Sequence, residues 1–165
     1  MIDAIENSAY AVWVRESPSI FAYTTILSLH AMGLAIIVGL NIVVALRLLG
    51  FMPGLSVAPL RKLFPWLYVG FTVNAFSGLS LLAANLRNDL ENWMFLLKLG
   101  FVALAMANLE LTRMRVFDRP GAYTSPQLPA HARHFALISM ILWGLAIVSG
   151  RLTAYPKFVE AWFGF

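Results

Sequence analysis

Between Phe21 and Leu49 the sequence reads FAYTTILSLHAMGLAIIVGLNIVVALRLL. This run restricts the fold more than any other feature. A helix crosses the hydrocarbon core of a bilayer in about 20 predominantly apolar residues, and the run is longer than that. Its strongly polar members between Thr25 and Arg47 are Ser28, His30 and Asn41. An ionisable side chain inside a membrane helix is costly and by default marks a working site. His30 is therefore the first candidate functional residue.

The rest of the chain agrees with a membrane setting. Of 165 residues, 60% are hydrophobic and 12% charged, against about 25% charged in soluble domains. A core of this size leaves too little polar material to cover such a chain in water, so it reads as one integral membrane domain. The absence of cysteine excludes disulfides, thiolate metal sites, iron–sulfur ligation and covalent haem attachment. The net charge of +4 suits lipid headgroups. No basic stretch is interleaved with aromatics, so nucleic acid is not an expected partner. The opening MIDAIENSAYAVWVRESPS lacks the basic-then-apolar pattern of a cleavable signal.

Taken in order, residues 1–20 read as an amphipathic lead-in, a short interfacial helix lying on the membrane surface. Ile5, Ala9, Val12 and Trp13 fall near helical spacing, and Ser17-Pro18 turns the chain. Four spans follow within residues 21–157: Phe21 to Leu49, Phe64 to Leu86, Trp93 to Val116, and His134 to Tyr155. GFMPGLSVAPLRK is expected as a loop, residues 87–92 as a short polar connector, and DRPGAYTSPQLPAHAR as the longest loop, where three prolines oppose a regular helix. Residues 158–165 form a short aromatic tail. The expected fold is all-α, an up-down-up-down four-helix transmembrane bundle. Basic residues set its orientation. Arg47, Arg61, Lys62, Arg113, Arg115, Arg119 and Arg133 lie in or beside the first and third loops, whereas Arg15, Arg87 and Lys157 lie on the other side. The first and third loops are thus expected to be cytoplasmic and both termini periplasmic. Tyr23, Trp93 and Tyr155 are the expected outer interfacial anchors, Trp66 and Tyr123 the inner ones.

Small residues mark where spans approach closely, because lipid offers no hydrophobic drive between helices. Ala31, Ala35 and Gly39 recur at four-residue steps, as do Gly70, Asn74 and Gly78, and Ala146, Gly150 and Ala154. Two readings fit: bundle interior, or a flat cofactor lying against glycine. Asn41, Asn74 and Asn108 read as interhelical amide hydrogen bonds, and Glu110 with Arg113 as an ion pair.

Depth then groups three cationic or potentially cationic side chains. Along a helix, His30 lies roughly 10 Å from Tyr23, Lys98 roughly 7 Å from Trp93, and Arg151 roughly 6 Å from Tyr155. One reading has all three converge near the outer face: His30 ligates the iron of a b-type haem, or meets a quinone, while Lys98 and Arg151 neutralise propionates and Gly70, Asn74 and Gly78 leave room for the ring. Asp89 and Glu91 are alternative partners for the two cations. The other reading has Lys98 and Arg151 reach the headgroups while His30 bonds a neighbouring helix. His131 and His134 lie roughly 25 Å along the last span from Arg151, so a second axial imidazole would come from another protomer or partner; Met32 and Met94 are the nearby thioethers. With Arg133, those two histidines read as a cytoplasmic headgroup edge; a metal site is the lesser reading, because two histidines without a nearby acid are a poor ligand set.

No HExxH, GxSxG, phosphate-loop or dinucleotide motif is present, no complete catalytic set is visible, and the spans lack the repeat symmetry of a transporter. A second function class is therefore a non-enzymatic scaffold or accessory subunit, docking other membrane or periplasmic subunits, or a copy of itself, through its small-residue stripes and the tail Trp162 to Phe165.

Several stretches, in order along nearly the whole chain, carry a resemblance: VRES at Val14–Ser17, LHAMGLAIIVG at Leu29–Gly39, LRLLG at Leu46–Gly50, FPWLYVGF at Phe64–Phe71 with Ser77-Gly78, FLLKLG at Phe95–Gly100, and GRLTAY at Gly150–Tyr155. Together they resemble a bacterial inner-membrane family catalogued as a domain of unknown function, number 6644. The resemblance implies an inner-membrane helical fold and puts His30, Lys98 and Arg151 within recurring family motifs. The family pattern has Glu a turn before the histidine and Asp just before LRLLG. Leu27 and Ala45 stand there in this chain, which speaks against an acid-dependent role. At the level of fold the pattern is also similar to small four-helix membrane cytochromes b.

Overall fold

A computed structural model describes residues 2–120 and 128–155, together with Ala161. The described residues are all-helical. Four helices are long and apolar enough to cross a membrane: Tyr23–Leu49, Val57–Ala84, Trp93–Phe117 and His131–Leu152. The chain divides into two compact units, Met1–Gly39 with Trp66–Trp93, and Leu40–Pro65 with Met94–Phe165.

The first unit begins with α1 (Ile2–Glu6) and α2 (Ala9–Glu16). The lead-in is thus two helices rather than one. The break has a local cause: Ser8 caps α2, its Oγ accepting from Ala11 N at 3.2 Å, which satisfies a helix-start N–H otherwise left without a partner. α2 also packs against protein on one side. Its Ala11 and Val14 are fully buried, while Tyr10 and Trp13 stay exposed with ring centroids 6.2 Å apart. Polar contacts hold it to α5 (Phe64–Ala84). The Tyr10 hydroxyl donates to Ser80 Oγ at 2.8 Å, and Arg15 donates to the carbonyl of Ala84 at 3.0 Å. The second contact supplies a donor to a last-turn carbonyl that the helix cannot satisfy itself. α6 (Leu86–Glu91) replaces the expected polar connector, and Arg87 pairs with Asp3 of α1 at 2.6 Å.

α3 (Tyr23–Leu49) starts two residues later than the apolar run and ends where expected. Gly50 closes it with φ +96°. Gly50 N bonds Arg47 O at 3.2 Å and Phe51 N bonds Leu46 O at 3.1 Å, a pair of cap bonds that only a left-handed residue permits and that glycine adopts without penalty. In the second unit, the expected loop after Gly50 is partly helical: α4 (Val57–Leu60) runs into a 3-10 turn at Arg61–Leu63 and then into α5. Pro59 does not prevent this, because it sits in the first turn, where its missing N–H has no partner to lose. α7 (Trp93–Thr112) continues as a π-helical turn, Arg113–Phe117. α8 (His131–Leu152) begins three residues earlier and ends three residues earlier than the sequence pattern suggests. Tyr123, Lys157 and the tail Trp162 to Phe165 lie outside the described residues.

The second unit is tied by polar pairs and aromatic packing. Asn41 Nδ2 donates to Ser139 Oγ at 2.8 Å, and the Ser139 hydroxyl lies 3.1 Å from Asn41 Oδ1. Asn108 Nδ2 donates to Phe135 O at 3.0 Å. Both are bonds between spans, as the asparagines led one to expect. Phe64 and Phe117 meet edge-on at 5.1 Å, an arrangement aromatic quadrupoles favour. Charges then chain together: Glu110 pairs with Arg113, Arg113 with Asp118 at 3.2 Å, and Asp118 with Arg61 at 2.6 Å.

Candidate functional site: the imidazole of His30

His30 lies in the first unit, where α3 meets α5. Its Nδ1 is 2.9 Å from the backbone carbonyl of Asn74 and 3.3 Å from Ser77 Oγ. A carbonyl only accepts, so Nδ1 carries the proton. The Ser77 hydroxyl has its own acceptors, Val73 O at 2.6 Å and Asn74 O at 3.1 Å. In return Asn74 Nδ2 donates to the His30 backbone carbonyl at 2.8 Å. Each residue thus uses side chain on the other's backbone. The imidazole is half-buried, and its ring orientation and tautomer are set from α5.

The packing around this pair is tight enough to exclude a single methyl group. A Cβ on Gly33 would lie 2.6 Å from Asn74 N and 2.9 Å from Gly70 O. A Cβ on Gly70 would lie 2.8 Å from Ile36 Cγ2 and 3.0 Å from Ile37 N. A Cβ on Gly78 would lie 3.0 Å from His30 Cε1. Gly70, Asn74 and Gly78 therefore do stand beside His30, but the space at both glycines is filled by α3 itself. Of the two readings of that stripe, helix packing accounts for these contacts, and no porphyrin face fits against either glycine.

The stripe Ala31, Ala35 and Gly39 is a correction. All three are exposed, and nothing approaches within 4 Å of a Cβ placed on Gly39. The packed ridge of α3 is instead His30, Gly33, Ile37, Asn41, Val44 and Leu48, with Gly33, Ile37, Asn41, Val44 and Leu48 buried. The signal for it was in the sequence. His30 and Asn41 are the residues least suited to lipid, and Gly33 and Ile37 share their face at three- and four-residue steps. Gly33 and Ser77 are the site residues that reading by small-residue period missed.

Lys98 and Arg151 belong to the second unit. The Lys98 stem lies over Gly150, where a Cβ would come within 3.2 Å of its Cδ and 3.4 Å of its Cε. Lys98 Nζ is 5.6 Å from the Phe95 ring centroid. Arg151 is exposed; its guanidinium sits 5.0 Å from the Tyr155 ring centroid and donates to Tyr155 Oη at 2.8 Å. Ala146 is buried on the same helix, whereas Ala154 is exposed. His131 Nε2 is 3.4 Å from Arg115 O, with its ring edge-on to Phe135. Among the described residues no group of three or more His, Cys, Asp or Glu side chains is placed to hold a metal ion. Trp143, buried on α8, has an indole N–H with no hydrogen-bond partner.

Comparison with known proteins returns no matching family model, no matching curated protein and no matching solved structure.

Proposed function

We infer that this chain is a multi-pass subunit of a bacterial inner-membrane redox system, in which His30 engages a b-type haem or a quinol. The observation that carries the reading is the bond from His30 Nδ1–H to the Asn74 carbonyl. In the neutral tautomer that carries its proton on Nδ1, the acceptor of the ring is Nε2. Such an acceptor would ligate iron, or would accept the O–H proton of a reduced quinone; it cannot donate to the carbonyl of an oxidised one. A backbone carbonyl that fixes tautomer and ring angle is the usual support of a ligating histidine. Of the residues proposed for a haem, His30 fits on this ground, and Gly70 and Gly78 do not. When bound, haem supplies one-electron transfer; the chain supplies a fixed base in an apolar span.

The resemblance to the bacterial inner-membrane family supports this setting. The bundle is up-down-up-down, with the first and third loops cytoplasmic and both termini periplasmic, following the distribution of basic residues. α2 then lies at the outer interface with Tyr10 and Trp13 at headgroup level, where such rings are enriched. Partners are the bilayer and further membrane or periplasmic subunits.

The test is a spectrum and an extract of protein taken from its native membrane. A Soret band with haem in the pyridine extract, or a quinol that co-purifies under reducing conditions, is expected from the wild-type chain and absent from His30→Ala. Absence of both cofactors from the wild type overturns the reading. So does a His30→Ala protein that keeps its cofactor, which would leave His30 as a packing residue of an accessory subunit.

A further inference from the structure

We propose that the indole of Trp143 binds a single enclosed water molecule, which joins it to the Asn41–Ser139 pair inside the second unit. The first observation is an unmet donor. Trp143 is 3% exposed, and among the described residues its Nε1–H has no hydrogen-bond partner. An indole N–H only donates, and a buried tryptophan normally places it on an acceptor. The usual acceptors are out of reach. Trp143 stands roughly 18 Å from the start and roughly 14 Å from the end of α8, too far inside the helix for the headgroups that membrane tryptophans commonly meet. Mid-helix carbonyls are already engaged by the helix itself.

The second observation is unused hydrogen-bonding capacity one turn away. Ser139 and Trp143 share the buried face of α8 at a four-residue step. A mid-helix serine ordinarily returns its hydroxyl to the carbonyl four residues back. Here that carbonyl, Phe135 O, accepts from Asn108 Nδ2 at 3.0 Å. The Ser139 hydroxyl turns to Asn41 instead, donating to Oδ1 at 3.1 Å and accepting from Nδ2 at 2.8 Å. Asn41 and Ser139 are 3% and 4% exposed. A carboxamide has two N–H donors and two oxygen lone pairs, and a hydroxyl has two lone pairs. Among the described residues the pair uses one of each, so one donor and two acceptor positions remain within the protein.

Geometry joins the two. Helical side chains lean toward the N-terminus, which tilts the Trp143 ring over the turn that carries Ser139. Four residues of helix rise about 6 Å, and two hydrogen bonds of about 2.9 Å set end to end span nearly that distance. One intervening oxygen therefore closes the gap. It accepts from Trp143 Nε1–H and donates to Asn41 Oδ1 or Ser139 Oγ, with the remaining Asn41 N–H as a third partner. A buried water typically makes about three such bonds. The occupant is small, because protein covers all three side chains almost wholly. The neighbours of Trp143 along that face, Ser139 and Ala146, are small residues. The site is independent of the reading of His30.

The experiment is solid-state NMR of the full chain in phosphatidylcholine vesicles, with nitrogen-labelled indoles and magnetisation that starts on water. Five tryptophans give five indole signals, and Trp143→Phe identifies the relevant one. In the wild type, the Trp143 Nε1–H is expected to receive magnetisation from water despite its burial. Asn41→Leu combined with Ser139→Ala removes the polar pair and puts methyl groups in its place. The Trp143 signal should then lose its transfer from water, while the exposed Trp13 and Trp66 keep theirs. A wild-type Trp143 N–H that receives nothing from water overturns the proposal. So does transfer that survives in the double variant, and so does transfer from a bound organic molecule in place of water. The wild-type measurement decides the matter even if the variant fails to fold.

Discussion

At Gly33 a hydrogen atom decides how closely two helices approach. The nearest atoms to an added methyl are backbone, Asn74 N and Cα and Gly70 O, and backbone cannot swing aside as a side-chain tip can. Gly33→Ala is therefore expected to destabilise the protein by about 1–3 kcal/mol, the usual cost of overpacking a tight core. Gly39→Ala, ten ångströms or so further along the same helix, meets open space and should be neutral or slightly stabilising, since alanine is the better helix former. Melting both variants in one mild detergent checks the pair; equal midpoints would refute the assignment of the contact ridge. The same contrast explains what sequence reading reached here. Alanine and glycine at four-residue steps are common on lipid-facing surface as well as in contacts, so Ala31, Ala35 and Gly39 misled. The expensive residues His30, Asn41, Asn74 and Asn108 did not mislead, because an amide or imidazole in hydrocarbon must find a partner, and each has one.

Whole spans were legible because length and hydropathy suffice to mark them. Their ends were not. Pro59 and the glycines of residues 50–54 suggested a loop, yet residues 57–63 are helical, since proline costs little in a first turn. The polar segment after Ala84 likewise forms α6, which buries Leu86 and pairs with α1 through Arg87 and Asp3. The π-helical turn at Arg113–Phe117 left no period in the sequence to find. It carries Arg113 into a chain of charges in which Asp118 serves both Arg61 and Arg113. These side chains are about a third exposed, so solvent screens them. Asp118→Asn is expected to cost about 0.5–1 kcal/mol, and the cost should shrink as salt is raised. Chemical unfolding of the variant at low and high ionic strength measures both; a cost that is independent of salt would show that Asp118 acts through packing.

For the molecule as a whole, the question is which contacts respond to the medium. The side-chain bond from Asp3, then its charge, raises the Arg87 pKa above its ordinary value. A raised pKa on a base gives stability that is complete below the unfolded value and lost only as pH climbs through the folded one. Both lie above any pH at which the protein is handled, so the guanidinium never discharges. The difference in melting midpoint between wild type and Arg87→Gln should therefore stay constant from about pH 6 to about pH 10. A difference that closes within that range would place a titrating group other than Arg87 in the contact.

The reciprocal bonds between His30 and Asn74 also bear on how the chain reaches its membrane. Alone, the segment from Tyr23 to Leu49 must carry an imidazole into oil, and the segment from Phe64 to Ala84 a carboxamide. Side by side, each side chain donates to the other residue's backbone carbonyl, and the glycines let the helices close without a gap. If the two segments enter a bilayer together as a hairpin, the His30 Nδ1–H and the Asn74 amide N–H are already bonded when they meet hydrocarbon.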